Sequence, residues 1–326
     1  RVGNPAGGGI LITGLNLTRP VLFRGASRLP VYEAGETLAS AIAWLGVAAN
    51  VQAGTPYFIA LTGDETLSGE WNLNNADLNL TLEGVGETRT INAAGVPAAD
   101  AVIYLTGSTL TLGNNLTLDG GGRNGRFIEI GGGAALNLTG ATLTGNNNNA
   151  TPGGAVFMSS SGTFTMTGGA ITGNSTTMFG GGVFMTSGTF TMTGGVISGN
   201  SSEDGGSLGG GGVCISSGPF TMTGGVISGN SSTGAQGGGG VWVGGGYPFT
   251  MTGGVITDNT AQKGGGVCIS GTVHVDGGTI SENTATGGAT FGAQVFQNLG
   301  SHYIDGEIDP SMTVTPYEMD STNWDG

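Results

Sequence analysis

Apolar and polar residues alternate in short runs along most of this chain. The clearest run is Thr163-Phe-Thr-Met-Thr-Gly-Gly-Ala-Ile171. In an extended strand successive side chains point to opposite faces, so Phe164 and Met166 face one way and Thr163, Thr165 and Thr167 the other. The run returns as Thr189–Ile197, Pro219–Ile227 and Pro248–Ile256, and in degenerate form as Thr272–Ile280. Fainter versions are Leu110-Thr-Leu-Gly and Leu136-Asn-Leu-Thr-Gly. Each full copy is followed by an Asn: Asn174, Asn200, Asn230, Asn259 and Asn283, at spacings of 26, 30, 29 and 24 residues. Short strands after Gly runs precede the later copies: Gly182-Val-Phe-Met185, Gly212-Val-Cys-Ile215, Gly240-Val-Trp-Val243 and Gly266-Val-Cys-Ile269.

A unit this short cannot bury its own apolar face and must stack on copies of itself. Dense Gly and β-branched residues argue against helix. The pattern predicts an all-β fold, a parallel β-helix. Its inward columns are Phe164, Phe190, Phe220, Phe249 and Val273, and beside them Met166, Met192, Met222, Met251 and Val275. A second face carries Ile171, Ile197, Ile227, Ile256 and Ile280, and a third Val183, Val213, Val241 and Val267. The longer units place their extra residues at 203–208 and 233–236, which marks one corner as variable. The turn Asn is expected in the left-handed region, which Asn tolerates, with its side chain stacking between turns.

The ends break the repeat. Gly35–Leu45 reads as a helix with Leu38, Ile42 and Leu45 on one face, a cap for the first coil. The organisation expected is a strand extension over 1–34, a capping helix over 35–50, the β-helix over 51–300 and an acidic tail or cap over 301–326. The extension holds Ile10, Leu11, Ile12, Leu15, Leu17, Val21, Leu22 and Phe23. These strands have two outlets: packing along their own β-helix, or adding a strand to the next molecule in a head-to-tail filament. Beginning at Arg1 without a signal pattern, the sequence is either processed or a fragment.

Composition narrows the class. Of 326 residues 70 are Gly, but in clusters and not at every third position, which excludes collagen. An apolar share of 37% is too high for simple disorder. No apolar run is long enough to span a membrane as a helix. Eight bases against 22 acids, a net charge of -14, leave no basic footprint for nucleic acid. Few Lys and abundant Gly, Ser, Thr and Asn indicate an extracellular or cell-surface protein.

The repeat resembles that of bacterial surface proteins built on a right-handed β-helix of the pectin-lyase-like class, whose units read GGGV…TFTMTGG.ISGN. The likeness covers roughly residues 105–300. Gly153-Gly-Ala-Val156 is similar to the GGAI of chlamydial polymorphic outer-membrane proteins. The resemblance implies a right-handed coil, a helical cap at the start and an adhesin-like role.

Candidate chemistry is sparse. Asp258 and Glu282 precede the turn Asn in adjacent coils and could pair as a lyase or hydrolase would need, but no base lies nearby in the pattern and Lys263 is the only candidate. Equivalent positions elsewhere are Gly, and a solvated turn is the favoured account. Glu203 and Asp204 read as loop solubilisers, His274 as a surface residue and His302 as part of the tail. Asp305, Glu307 and Asp309 have a spacing compatible with Ca²⁺, but a solvated acidic turn is preferred. Cys214 and Cys268 share a column two coils apart, too far for a disulfide, so free thiols are expected. That column, with Phe157, Phe184 and Trp242, alternates with inward residues; it is either an exposed apolar ladder for a partner or covered by a loop. The Thr columns resemble the ice-binding faces of some β-helical antifreeze proteins, though Thr is also the ordinary polar strand former. Asn174, Asn200 and Asn230 begin glycosylation sequons, but corner stacking explains them better. The reading is a non-enzymatic extracellular shaft without cofactor or metal, a homo-oligomeric filament or an adhesin with a host or carbohydrate ligand. The alternatives are a carbohydrate-active lyase or hydrolase and an ice-binding protein.

Overall fold

A computed structural model describes residues 2–3, 11–12, 20–31, 37–98, 101–149, 151–203, 209–235, 237–245, 247–287, 292–297, 303–304 and 313–314. It is a parallel β-solenoid of about eight turns with one α-helix near the N-terminus. Each inward column runs in unbroken register. On the first face Tyr57, Leu80, Leu110, Leu136, Phe164, Phe190, Phe220, Phe249 and Val273 follow one another, one per coil. The predicted core stack is present: Phe164, Phe190, Phe220, Phe249, Met166, Met192, Met222 and Met251 are all fully buried. The four Phe rings lie face to face with centroids 4.6, 4.5 and 4.9 Å apart. That is the spacing of neighbouring strands, so a flat ring on every rung fills its column without a gap.

The second face carries Ile91, Leu118, Leu143, Ile171, Ile197, Ile227, Ile256 and Ile280. The third carries Ile103, Ile128, Val156, Val183, Val213, Val241, Val267 and Val295. Three faces of one solenoid thus share a single apolar interior.

The helix spans Leu38–Leu45. Thr37 caps it, accepting the Ser40 N–H, while the Ser40 hydroxyl oxygen accepts the Thr37 N–H in return. Its buried residues are Leu38, Ala41, Ile42 and Leu45, the predicted stripe plus Ala41. Trp44 packs against Tyr57, whose hydroxyl donates to the Asn50 carbonyl and accepts from the Gln52 N–H.

Antiparallel pairings close both ends of the stack. Val21–Arg24 pairs antiparallel with Pro56–Leu61 of the first coil, and the chain then turns back through Leu29–Pro30. Arg28 locks this turn, donating to Glu83 at 2.9 Å and lying 4.1 Å over the Phe58 ring. Val21, Leu22 and Phe23 are therefore spoken for within the chain, with Leu22 and Phe23 buried. Of the two outlets these three residues take the first, packing along their own β-helix, which removes them as strand donors to another molecule: the first coil needs an edge partner, and this hairpin supplies it. Leu11–Ile12 pairs with Val2–Gly3 in a separate two-stranded sheet; Ile10, Leu15 and Leu17 lie outside the described residues. At the other end Thr313–Val314 returns antiparallel onto Val273 and His274, and Tyr303–Ile304 onto Val295 and Phe296.

Candidate interaction surfaces

The corner that follows the second face is built from the repeat's Asn. Its residues are buried, and each accepts hydrogen bonds from the coil before it. The backbone N–H and Nδ2 of Asn174 both donate to Oδ1 of Asn200, and Asn200 does the same to Asn230, Asn230 to Asn259 and Asn259 to Asn283. Gln294 Oε1 ends the series. Each Nδ2 from Asn200 onward also donates to a carbonyl of the preceding Ile column, as Asn200 does to Ile171. This is the expected stacking of Asn between turns, but the expected backbone role falls to another residue. The left-handed residue is the one before it: Gly173, Gly199 and Gly229 at φ of 64°, 61° and 62°, then Asp258 and Glu282 at 57°. Burial also removes Asn174, Asn200 and Asn230 as glycan acceptors.

Asp258 and Glu282 do sit on adjacent rungs, since Thr257 and Ser281 are paired. Both are exposed at the corner, occupying a backbone conformation that Gly fills elsewhere. Lys263 acts on the Cys268 thiol at the following corner. Glu203 is exposed; Asp204, His302, Asp305, Glu307 and Asp309 lie outside the described residues. His274 continues an outward column.

That column is Thr81, Thr111, Asn137, Thr165, Thr191, Thr221, Thr250 and His274. Beside it Thr167, Thr193, Thr223 and Thr252 are exposed. The Phe rings beneath are within 6° and 5° of parallel from Phe164 to Phe220, and within 15° at Phe249. The hydroxyl face is regular over these rungs, with one Thr per strand from Thr165 to Thr250.

Of the two alternatives for the apolar ladder of Phe157, Phe184 and Trp242, the covered one holds and the exposed one does not. Phe184 and Trp242 retain 5% of their surface, and Cys214 and Cys268 none. Phe157 is half-buried, stacked on Phe184 and covered by the Arg126 guanidinium 4.2 Å above its ring. Phe179 leans on Phe184. Outward-pointing aromatics here form a satellite core beneath the Gly corners, which fold back against them. An added Cβ at Gly238 would stand 2.9 Å from Trp242, and one at Gly180 2.9 Å from Phe184. The free thiols are as expected, with Trp242 on the rung between them. Burial pushes the Cys268 thiol up to about 12.

Comparison with protein-family models, curated proteins and solved structures matched none of them.

Proposed function

We propose that the protein is a non-enzymatic extracellular structural protein, a β-helical shaft that assembles into a surface filament or serves as an adhesin. One observation carries this reading. The side-chain columns run in register through the stack, which supports a rigid shaft. At about 4.8 Å per coil, eight turns make a rod of roughly 40 Å. The acidic, Lys-poor composition supports an exterior location.

Residues 20–31 serve the first coil, so the filament form of this proposal now rests on residues 1–19. Electron microscopy of the full chain tests it. Filaments that vanish on deletion of 1–19, with the circular dichroism of the coil retained, support strand exchange. Single rods at every concentration reject the filament and leave the adhesin, which cell-binding assays then address.

The regular hydroxyl face favours one second reading, an ice-binding protein, because a periodic ligand needs a periodic surface. Thermal hysteresis lost in Thr191→Tyr would support it; none in the parent chain would dismiss it.

A further inference from the structure

Two of the core columns begin abruptly at the N-terminal mouth. The column that reads Ile91, Leu118, Leu143 and Ile171 starts one coil earlier at Glu65, which is in register with Ile91. The third-face column starts at Trp71, in register with Ile103. Helix Leu38–Leu45 lies across this mouth and leaves a cavity of about 510 Å³. Leu38, Ile42 and Trp71 line it on the apolar side, and Glu65, Glu70 and Asn72 on the polar side.

The two carboxylates differ. Glu70 accepts from Asn72 at 3.3 Å and feels the charge of Arg123. Glu65 is shifted by burial alone, which pushes its carboxyl above the ordinary value. Among the described residues no Lys or Arg lines the cavity and no cation pairs with Glu65. A partly desolvated carboxylate at a position where the following coils carry Ile or Leu is destabilising unless an opposite charge answers it.

We propose that this mouth binds a small ligand bearing an ammonium or guanidinium group on an apolar stem. Glu65 takes the cation, and Leu38, Ile42 and Trp71 take the stem. The cavity has the volume of a small-molecule site. The assignment is independent of whether the shaft polymerises; it gives the capped end a recognition role of its own.

Calorimetric titration of the full chain with Nα-acetyl-L-lysine amide tests it, with the neutral Nα-acetyl-L-norleucine amide as control. The lysine amide is expected to bind at least tenfold more tightly than the norleucine amide. Glu65→Gln, which preserves shape, should weaken lysine-amide binding at least tenfold while melting at or above the parent temperature. Glu65→Leu, which extends the Ile/Leu column, should melt higher and bind neither. The proposal is overturned if the parent chain does not bind the lysine amide at millimolar concentration. Equal binding of the two amides, or undiminished binding by a folded Glu65→Gln chain, overturns it as well.

Discussion

The backbone N–H and the side-chain Nδ2 of Asn200 both donate to one atom, Oδ1 of Asn230, at 3.0 Å each. Repeated from Asn174 to Asn283, this arrangement ties each coil to the next by a pair of buried bonds that share an acceptor. Replacing one member injures its neighbour more than itself. Asn200→Ala strands the backbone N–H of Asn174, 3.0 Å from the lost oxygen, while Asn174 Nδ2 keeps the Leu143 and Thr172 carbonyls at 3.1 Å. A buried donor left unpaired costs about 1–3 kcal/mol, and that is the expected loss. Urea unfolding should show it as a lower midpoint. Thr193→Ala, at an exposed position, should stay within about 0.5 kcal/mol of the parent.

Phe190 sits between two rings, 4.6 Å from Phe164 and 4.5 Å from Phe220. Phe190→Ala opens a cavity bounded by both and should cost about 3–5 kcal/mol. Phe190→Leu is a milder case. The same column holds Leu80, Leu110 and Leu136 in earlier coils, so the backbone accepts Leu there. A loss of about 1.5 kcal/mol is expected. Equal losses for the two variants would show that ring stacking, and not filled volume, holds the column.

Side-chain parity in the Phe164–Ile171 repeat was enough to place the Phe, Met, Ile and Val columns, because stacking forces like residues onto like. The capping helix was legible from Leu38, Ile42 and Leu45 for the same reason of periodicity. What escaped was whatever the repeat does not repeat. The early coils carry Glu65 and Trp71 on columns whose later members are Ile and Val, and without the pairing to Ile91 and Ile103 nothing marks their register. At the corner the stacking of Asn between turns follows from the repeat, but its backbone does not: Asn tolerates the left-handed region, whereas here the preceding residue, mostly Gly, takes it and frees Asn to bond inward. The alternation of Gly199 and Gly229 with Asp258 and Glu282 at one repeat position was the available clue. Phe184 and Trp242 point outward as parity requires, but parity cannot show that the Gly corner folds over them.

Asp258 and Glu282 hold φ of 57° where earlier coils use Gly. The left-handed conformation costs a residue with a Cβ about 1–2 kcal/mol, less for Asp, against roughly 0.5–1 kcal/mol of extra chain entropy lost by Gly. Glu282→Gly should therefore stabilise by about 0.5–1 kcal/mol, and Asp258→Gly by less, partly because Asp258 also accepts from the Thr257 hydroxyl at 3.2 Å. The opposite change is severe at Gly225, with φ of 87°. A Cβ there would stand 2.6 Å from Met192 Cε and 2.9 Å from the Gly195 carbonyl oxygen. Gly225→Ala combines backbone strain with overpacking and should lower stability by about 2–4 kcal/mol. Thermal unfolding of the three variants checks both signs.

Cys214 and Cys268 test whether the satellite core stays shut. Both are fully buried, and burial raises the Cys268 thiol from 9.0 to about 12 against a smaller opposing pull from Lys263. Only the thiolate is a good nucleophile, so neither inaccessible thiol should react with an aromatic disulfide reagent at pH 8 while the chain is folded. Both should react promptly in urea. The same shift has a consequence for stability. The unfolded chain releases the Cys268 proton near pH 9 and the folded chain near 12, so the folded state binds more protons between them. Stability must then fall as pH rises through that window. Cys268→Ser would confound this with a new hydroxyl, whereas Cys268→Ala removes the titrating group. The alkaline slope of the unfolding free energy should be shallower in Cys268→Ala than in the parent. Reaction of the native protein at pH 8 on the timescale of the unfolded chain would instead mean that the Gly corners open readily over Trp242.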